Sequence, residues 1–269
     1  MVLFIRLSFA FFAILSTVLG FSRKSLHSGN KLRWRSSFGL HLAKSSLIIW
    51  DCDGVLVDSE ALLKQGEVEA LAKAGIDVTV DDCVKLFSGF SPDGAAENFL
   101  KVMKKPLPEN FIRDQIAGSL DLFRNRLEPL MQDTVLALHD LNAVMCVASG
   151  SPRDRVEICV EVAKLTAPFP PERIFTRELV KNGKPAPDLF LYAAEKMGYK
   201  PEDCVVIEDS TSGVKAAQAA GMHVLGYLGG GHAKYDWYQE AIKSYNIPIF
   251  YTQEEVLQAL LKYTWKYTS

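Results

Sequence analysis

Two aspartates, Asp51 and Asp53, are the residues whose type and spacing most directly indicate chemistry. They follow a short apolar run, Leu47 to Trp50, and precede Gly54, where the chain can turn at once. An apolar run too short for a helix is typical of a buried parallel strand, and ligands bind at the carboxyl ends of such strands. Because residues two apart on a strand point to the same face, the two side chains are expected to converge.

Two close carboxylates repel each other, so one of them would be driven neutral in the absence of a counter-charge. A hard divalent cation removes this repulsion, and Mg²⁺ is well suited to carboxylate oxygens combined with a phosphate. An isolated Asp-x-Asp pair more often does no more than cap a turn. Here the pair ends an apolar run and continues into Gly-Val-Leu-Val-Asp-Ser, and this context favours a metal site.

Two further segments contain polar groups just before a predicted helix. Ser149 and Gly150 end another apolar run just before Pro152, at a predicted helix start. A hydroxyl and free backbone N–H groups at a helix N-terminus bind phosphate oxygens, although an ordinary helix cap looks the same in a sequence. Lys184 is flanked by a glycine and a proline, which can fix the direction of its side chain, with an unconstrained surface lysine as the alternative.

Glu208 and Asp209 end the apolar run 205–207, and they are expected at the same edge as Asp51. Two more carboxylates there would complete a metal site built from oxygen ligands. Ser210 or Thr211 could then cap the helix that follows.

The elements that must position these groups alternate along the chain. Candidate strands at 143–148, 173–175, 204–207, 223–228 and 249–251 alternate with candidate helices at 135–141, 152–164, 187–197, 211–220 and 253–263. Such alternation predicts a parallel sheet covered by helices on both faces. Residues 60–128 show only helical patterns, with an apolar stripe from Ile112 to Leu127, and they predict a small helical insert.

In this order, the segments resemble the haloacid dehalogenase-like superfamily, in the branch that contains β-phosphoglucomutase and small sugar-phosphate phosphatases. The resemblance covers about residues 46–265 and is carried by Asp-x-Asp-Gly-Val-Leu-Val-Asp-Ser-Glu and by Glu-Asp-Ser. It implies an α/β fold, with a Rossmann-like parallel-sheet core at 46–59 and 130–269. An all-helical cap domain at 60–129 would be inserted into that core.

The resemblance also implies a phosphatase mechanism and a small phosphorylated metabolite as substrate. Asp51 would attack phosphorus to form an aspartyl-phosphate, and Asp53 would act as general acid and base. Ser149, Gly150 and Lys184 would bind the phosphate. The implied ligands of Mg²⁺ are Asp51, Asp53 through its backbone carbonyl, Glu208 and Asp209.

The cap separates phosphatases from mutases, and here the sequence departs from the mutases. The histidine that they have in the first cap helix falls on Leu63, and the arginine of their cap loop falls on Pro92. Hydrolysis of a sugar phosphate is therefore favoured, with a phosphosugar mutase and a catalytically silent binding module as alternatives. Phe90 and Ser91 could line the substrate pocket, and His232 is interpreted as a surface residue of a flexible loop.

Charge and cysteine content exclude other classes of function. Residues 1–50 contain seven basic side chains and no acidic one, so the rest of the chain has 23 basic against 32 acidic side chains. Such an acidic body is a poor nucleic-acid binder, because Lys and Arg supply most of that affinity. The five cysteines show no paired spacing, which argues against a disulfide framework and a zinc site. The oligomeric state is left open.

Residues 1–45 read as a targeting presequence and not as part of the fold. Arg6 and the apolar segment 7–19 match a secretory signal peptide and are too short for a membrane span. Residues 21–46 are rich in Ser, Arg and Lys and contain no acid, as in a transit peptide. The combination resembles the two-part presequence of algae whose plastids lie inside additional membranes. Plastid import is expected, with the secretory pathway as the alternative.

Overall fold

The computed structural model describes residues 46–87 and 92–263. The predicted presequence and the residues Phe90 and Ser91 lie outside this range. The strands are β1 (Leu47–Trp50), β2 (Val144–Ser149), β3 (Ile174–Thr176), β4 (Cys204–Glu208), β5 (His223–Tyr227) and β6 (Ile249–Phe250). The helices are α1 (Ser59–Lys73), α2 (Val80–Phe87), α3 (Pro92–Met103), α4 (Phe111–Arg126), α5 (Gln132–Asp140), α6 (Arg153–Val162), α7 (Asp188–Met197), α8 (Thr211–Ala219), α9 (Asp236–Lys243) and α10 (Gln253–Tyr263).

The six strands form one parallel sheet in the order β3-β2-β1-β4-β5-β6. The central strand β1 lies between β2 and β4, and its last residue, Trp50, is level with Val147 and Ile207. The residues that follow these three strands therefore meet at one edge of the sheet. This arrangement confirms the predicted α/β fold with a Rossmann-like parallel-sheet core.

The sheet is buried on both faces, which explains why its strands are apolar runs and not alternating patterns. Alternate residues of β1 enter different apolar clusters, Ile48 and Trp50 on one face and Leu47 and Ile49 on the other. Burial of apolar area on this scale is the main driving force for folding. All five cysteines are buried and free, in agreement with the absence of a disulfide pattern.

Helices α1 to α4 lie between β1 and β2 and have an apolar cluster of their own. The ring of Phe87 in that cluster stacks on Phe99 and on Phe111, at 5.9 and 5.6 Å between ring centroids. The sequence did not indicate α2, although its start carries a signal. Thr79 and Asp82 exchange side-chain and backbone hydrogen bonds there, which is the pattern of a capping box.

The chain leaves the sheet for this insert and returns to it at neighbouring points. The backbone N–H of Asp58 donates to the carbonyl of Glu128, and that of Leu130 donates to Leu56, both at 2.9 Å. Val57 and Pro129 form an antiparallel bridge between these bonds. The entry and exit of the insert are thus paired as a short double connection. None of the helices in the described ranges is long and apolar enough to cross a membrane.

Candidate active site

The carboxyl ends of β1, β2 and β4 open into a cleft of about 1040 Å³. Its floor includes Asp51, Ser149, Lys184 and Asp209, which come from four separate segments of the chain. The helical insert contributes residues to the same cleft, among them Lys64 of α1. The sheet thus brings together the segments that the sequence singled out, as expected for an open α/β fold.

Three buried carboxylates form the centre of the cleft. One oxygen from each of Asp51, Glu208 and Asp209 lies within 4.8 Å of the others. Burial raises the pKa of Asp51 well above its ordinary value, with Lys184 opposing the shift and the neighbouring acids adding to it. Burial likewise raises the pKa of Asp209 to about 6. The cluster carries more negative charge than its protein surroundings stabilise, and a cation would relieve this excess.

Lys184 is the cation that the protein itself supplies to the cluster. Its ammonium donates to Oδ1 of Asp51 at 2.7 Å and to Oε1 of Glu208 at 2.6 Å, and its side chain is 8% exposed. Burial alone would lower the pKa of Lys184, but the two carboxylates outweigh burial and raise it. The two carboxylates therefore favour the charged ammonium.

Glu208 is held in place by the start of the next helix. Its Oε2 accepts hydrogen bonds from the backbone N–H groups of Asp209 and Ser210 and from the hydroxyl of Ser210, all within 3.0 Å. The same hydroxyl accepts from the N–H of Gly213 and so caps α8. Both oxygens of Glu208 therefore have protein donors, and its carboxylate joins β4, α8 and Lys184.

Gly213 leaves the space that this carboxylate fills. A Cβ added at Gly213 would overlap the carboxylate of Glu208, whereas one added at Gly118 in α4 would meet nothing within 4 Å. We expect Gly213→Ala to lower the free energy of unfolding by about 1–3 kcal/mol, because the displaced carboxylate must distort its surroundings. Gly118→Ala is the matched control and should raise it by about 0.5–1 kcal/mol, since alanine favours a helix. Chemical denaturation measures the free energy of unfolding of both variants. Equal effects would contradict the claim that Gly213 leaves space for the carboxylate of Glu208.

Asp53 has hydrogen-bond partners that differ from those of the carboxylate cluster. Its oxygens accept from the hydroxyl of Ser59 at 2.6 Å, from that of Ser151 at 2.5 Å and from the guanidinium of Arg155 at 2.7 Å. Burial favours the neutral acid, but Arg155 and the hydroxyl donors outweigh it and lower the pKa of Asp53. Asp51 and Asp53 both line the cleft, although β1 ends at Trp50 and Asp53 lies in the turn beyond the strand.

Ser149, one of the predicted phosphate-binding residues, lies beside Asp53, and Gly150 follows it. Ser149 is fully buried, with its hydroxyl 3.5 Å from Oδ2 of Asp53, and it accepts the N–H of Ser151 at 3.1 Å. Gly150 is exposed and lines the cleft. Both residues are therefore placed where a substrate can approach, and their role as phosphate ligands stays a prediction.

His232 is buried, so its interpretation as a surface residue was wrong. Its side chain is 8% exposed, and Nε2 lies 2.7 Å from Oδ2 of Asp209. The imidazole reaches this point because residue 54 is a glycine, with φ at +75°. A Cβ at Gly54 would overlap the carboxylate of Asp209 and crowd the ring of His232. Burial alone would lower the pKa of His232, but the hydrogen bond and charge of Asp209 outweigh burial, so the pKa is raised. A protonated His232 would partly neutralise the cluster.

Sequence reasoning also missed the groups that hold Asp53. Arg155 is on α6, and its guanidinium lies 4.8 Å from the ring of Phe123 in α4 as well as against Asp53. A sequence signal for this role of Arg155 was its position in the first turn of a helix that starts at the edge of the sheet where the cleft lies. Leu63, at the mutase histidine position, lines a different cavity of about 570 Å³ between the insert and α6.

A comparison with protein families decides what kind of protein contains this site. The sequence model of the family described as haloacid dehalogenase-like hydrolase matches residues 48–227, from β1 to the end of β5. The chain belongs to this family. The resemblance drawn from the Asp-x-Asp and Glu-Asp-Ser segments is therefore confirmed, and the cleft of this haloacid dehalogenase-like hydrolase is its candidate active site.

Similar proteins include two curated relatives and one solved structure. The protein SUPPRESSOR OF QUENCHING 1, chloroplastic, of Arabidopsis thaliana is 33% identical over 68% of this chain, which spans only 18% of that relative. The 6-phosphogluconate phosphatase of Escherichia coli is 27% identical over 72% of this chain and 87% of the relative. A HAD family hydrolase from Deinococcus radiodurans, solved with bound phosphate and sodium, is 28% identical with a TM-score of 0.70, covering 82% and 96% of the two chains.

Proposed function

We propose that this hydrolase is a Mg²⁺-dependent phosphatase that cleaves a small phosphomonoester, a sugar phosphate, through an aspartyl-phosphate. One observation carries the proposal: Asp51 lies in the cleft with one oxygen bound by Lys184, among carboxylates that need a further cation. The similarity to a 6-phosphogluconate phosphatase supports the substrate class, and the phosphate bound to a structural relative supports the reaction class.

The residues present fit a magnesium ion. Asp51 and Asp209 each have one oxygen that is not engaged by Lys184 or His232. Both acids have a raised pKa, chiefly because burial disfavours the charged carboxylate and further because the neighbouring acids repel it. These two carboxylates would hold the ion, with the predicted Asp53 carbonyl and Glu208 beside them. When bound, Mg²⁺ supplies positive charge that lets an anionic nucleophile approach an anionic substrate.

The protein groups would then divide the reaction into two displacements. In the first, an oxygen of Asp51 forms a bond to phosphorus while the bond to the leaving oxygen breaks, and Asp53 gives its proton to that oxygen. In the second, water attacks phosphorus, Asp53 takes its proton, and the bond to Asp51 breaks to release phosphate. The donors around Asp53 favour its ionised form, which is the form that the second step requires. The first step requires the protonated form, which the negative charge of a bound phosphomonoester would favour.

Lys184 and Ser149 would bind the outer phosphoryl oxygens, on which negative charge develops in each displacement. Residues 60–129 would form the cap over residues 46–59 and 130–269. This division agrees with an insert that has its own apolar cluster and paired connections. Closure of the cap over the cleft would exclude bulk water.

Release of inorganic phosphate from a panel of sugar phosphates, with Mg²⁺ and with EDTA, tests the proposal. We expect release that needs Mg²⁺ and returns when Mg²⁺ is restored after EDTA. Interconversion of two sugar phosphates without phosphate release would instead support a mutase. We favour hydrolysis because Leu63 places no acid or base in the cleft. Absence of any turnover, with or without Mg²⁺, would support a silent binding module.

Plastid targeting is a separate part of the proposal. A chloroplastic relative of 33% identity supports it, and the predicted presequence covers residues 1–45. A fluorescent protein fused to residues 1–45 should accumulate in the plastid of an alga with additional plastid membranes. Retention of the fusion in the secretory system would contradict plastid import and support the alternative.

A further inference from the structure

Trp237 is an exposed aromatic side chain in a cleft that is lined mainly by polar and charged residues. It lies at the start of α9, lines the same cleft as Asp51, and has 51% of its surface exposed. The other exposed large apolar residues in the described ranges do not line this cleft; they are Leu100, Val102, Leu179, Leu191 and Tyr251. An exposed indole at a ligand cleft offers a flat apolar face to whatever binds there.

Neighbouring rings hold this indole in a fixed position. It stacks on Tyr235, with centroids 6.2 Å apart and planes at 25°, and it meets the edge of Tyr238 at 5.5 Å. Tyr238 in turn contacts the ring of His232 at 5.1 Å, and His232 contacts Asp209. The hydroxyl of Tyr235 donates to Asp81 of α2 at 2.5 Å. A surface that is ordered before binding loses little conformational entropy when a ligand arrives.

The part of the cleft lining that comes from α1 is suited to hydroxyl groups. Glu60 and Lys64 of α1 line it, and the ammonium of Lys64 lies 2.9 Å from Oε1 of Glu67. These charged groups can donate to and accept from the edge of a polyhydroxylated molecule. A leaving group with one flat apolar face and polar edges matches both parts of the lining. A closed sugar ring has this shape, whereas a straight-chain polyol has no fixed flat face and loses rotational freedom on binding.

We propose that Trp237 selects phosphomonoesters with a closed-ring leaving group, by stacking against the flat face of that ring. The inference rests on the proposed phosphatase function and narrows its substrate class. Trp237 acts in this proposal as a specificity-determining residue, and the phosphoryl chemistry stays with Asp51.

The test compares ring and open-chain phosphates of equal carbon number. The two pairs are glucose 6-phosphate with glucitol 6-phosphate, and ribose 5-phosphate with ribitol 5-phosphate. For at least one pair, we expect the kcat/KM of the wild-type protein to favour the ring compound about tenfold, and Trp237→Leu to remove this preference. Trp237→Phe should keep most of it, because phenylalanine retains an aromatic face.

Tyr251→Leu is the matched control, because Tyr251 is an aromatic residue of similar exposure, 43%, outside the cleft. It should leave the preference unchanged. Dissociation constants of the four compounds with Asp51→Asn, measured by calorimetry, provide the same comparison without turnover. Equal binding of ring and open-chain compounds, or an equal loss for both in Trp237→Leu, would overturn the inference while phosphate release still supports the phosphatase. Ring-selective binding without phosphate release would retain the inference and overturn only the phosphatase.

Discussion

Asp51→Asn is expected to lower kcat for phosphate release by about 10⁴- to 10⁶-fold. The variant keeps the shape of the side chain but removes the anionic oxygen that would attack phosphorus, and loss of a nucleophile has effects of this size. Acid-quenched wild-type protein should retain labelled phosphate from a labelled substrate, whereas the variant should retain none. Both the steady-state rate and the trapped phosphoprotein can be measured with one labelled substrate.

The structure predicts that this loss does not come from unfolding. Lys184 keeps its ion pair with Glu208 in this variant, and burial and the neighbouring acids disfavour ionised Asp51. The amide should therefore lower the free energy of unfolding in EDTA much less than removal of the Lys184 ammonium does. Asp133→Asn, at an exposed acid on α5 outside the cleft, is the control and should retain full activity. An Asp51→Asn protein with near wild-type turnover would refute the nucleophile assignment.

Lys184→Met is expected to reduce both the rate and the stability. The ammonium lies within 2.7 Å of Asp51 and of Glu208, and its removal leaves two buried carboxylates without their cation. Breaking a buried ion pair from one side lowers the free energy of unfolding by about 3–5 kcal/mol. The lost charge at the phosphoryl oxygens should also lower kcat by about 10²–10³-fold.

The matched control is Lys181→Met, three positions earlier on the exposed surface. It should change the free energy of unfolding by less than about 0.5 kcal/mol, as is usual for surface substitutions. Denaturant unfolding at neutral pH in EDTA measures the stability of both variants, and phosphate release at saturating Mg²⁺ measures their rates. If the two variants were equally stable and equally active, Lys184 would have no special role in the cleft.

The position of the acidic cluster could be predicted because it depends on a general property of parallel sheets. Their strands all end at the same edge, so apolar runs that finish in Asp51, Ser149 and Glu208 must place these residues close together. The identity of the strands could be inferred in the same way, since strands buried on both faces read as continuous apolar runs. Their ends were less well predicted; β2, for example, continues to Ser149.

Contacts that depend on helix rotation or loop path could not be predicted. Arg155 reaches Asp53 across 102 positions of the chain, and an arginine in the first turn of a helix looks like an ordinary surface residue. His232 is buried because the glycine-rich loop after β5 folds back over Gly54, which no local pattern specifies. Helix α9 was missed because its eight residues are too few for their helical spacing to stand out from the surrounding loop.

The double connection between Leu56–Asp58 and Glu128–Leu130 has a consequence for how such a protein can diversify. Because the two ends of the insert are already joined by backbone hydrogen bonds, a different helical lid could be grafted there without opening the sheet. Backbone hydrogen bonds depend little on side-chain identity. Recombination at the double connection would therefore keep the reacting residues and exchange the helices that contact the substrate. The same reacting residues could in this way act on different metabolites when the helical insert is exchanged.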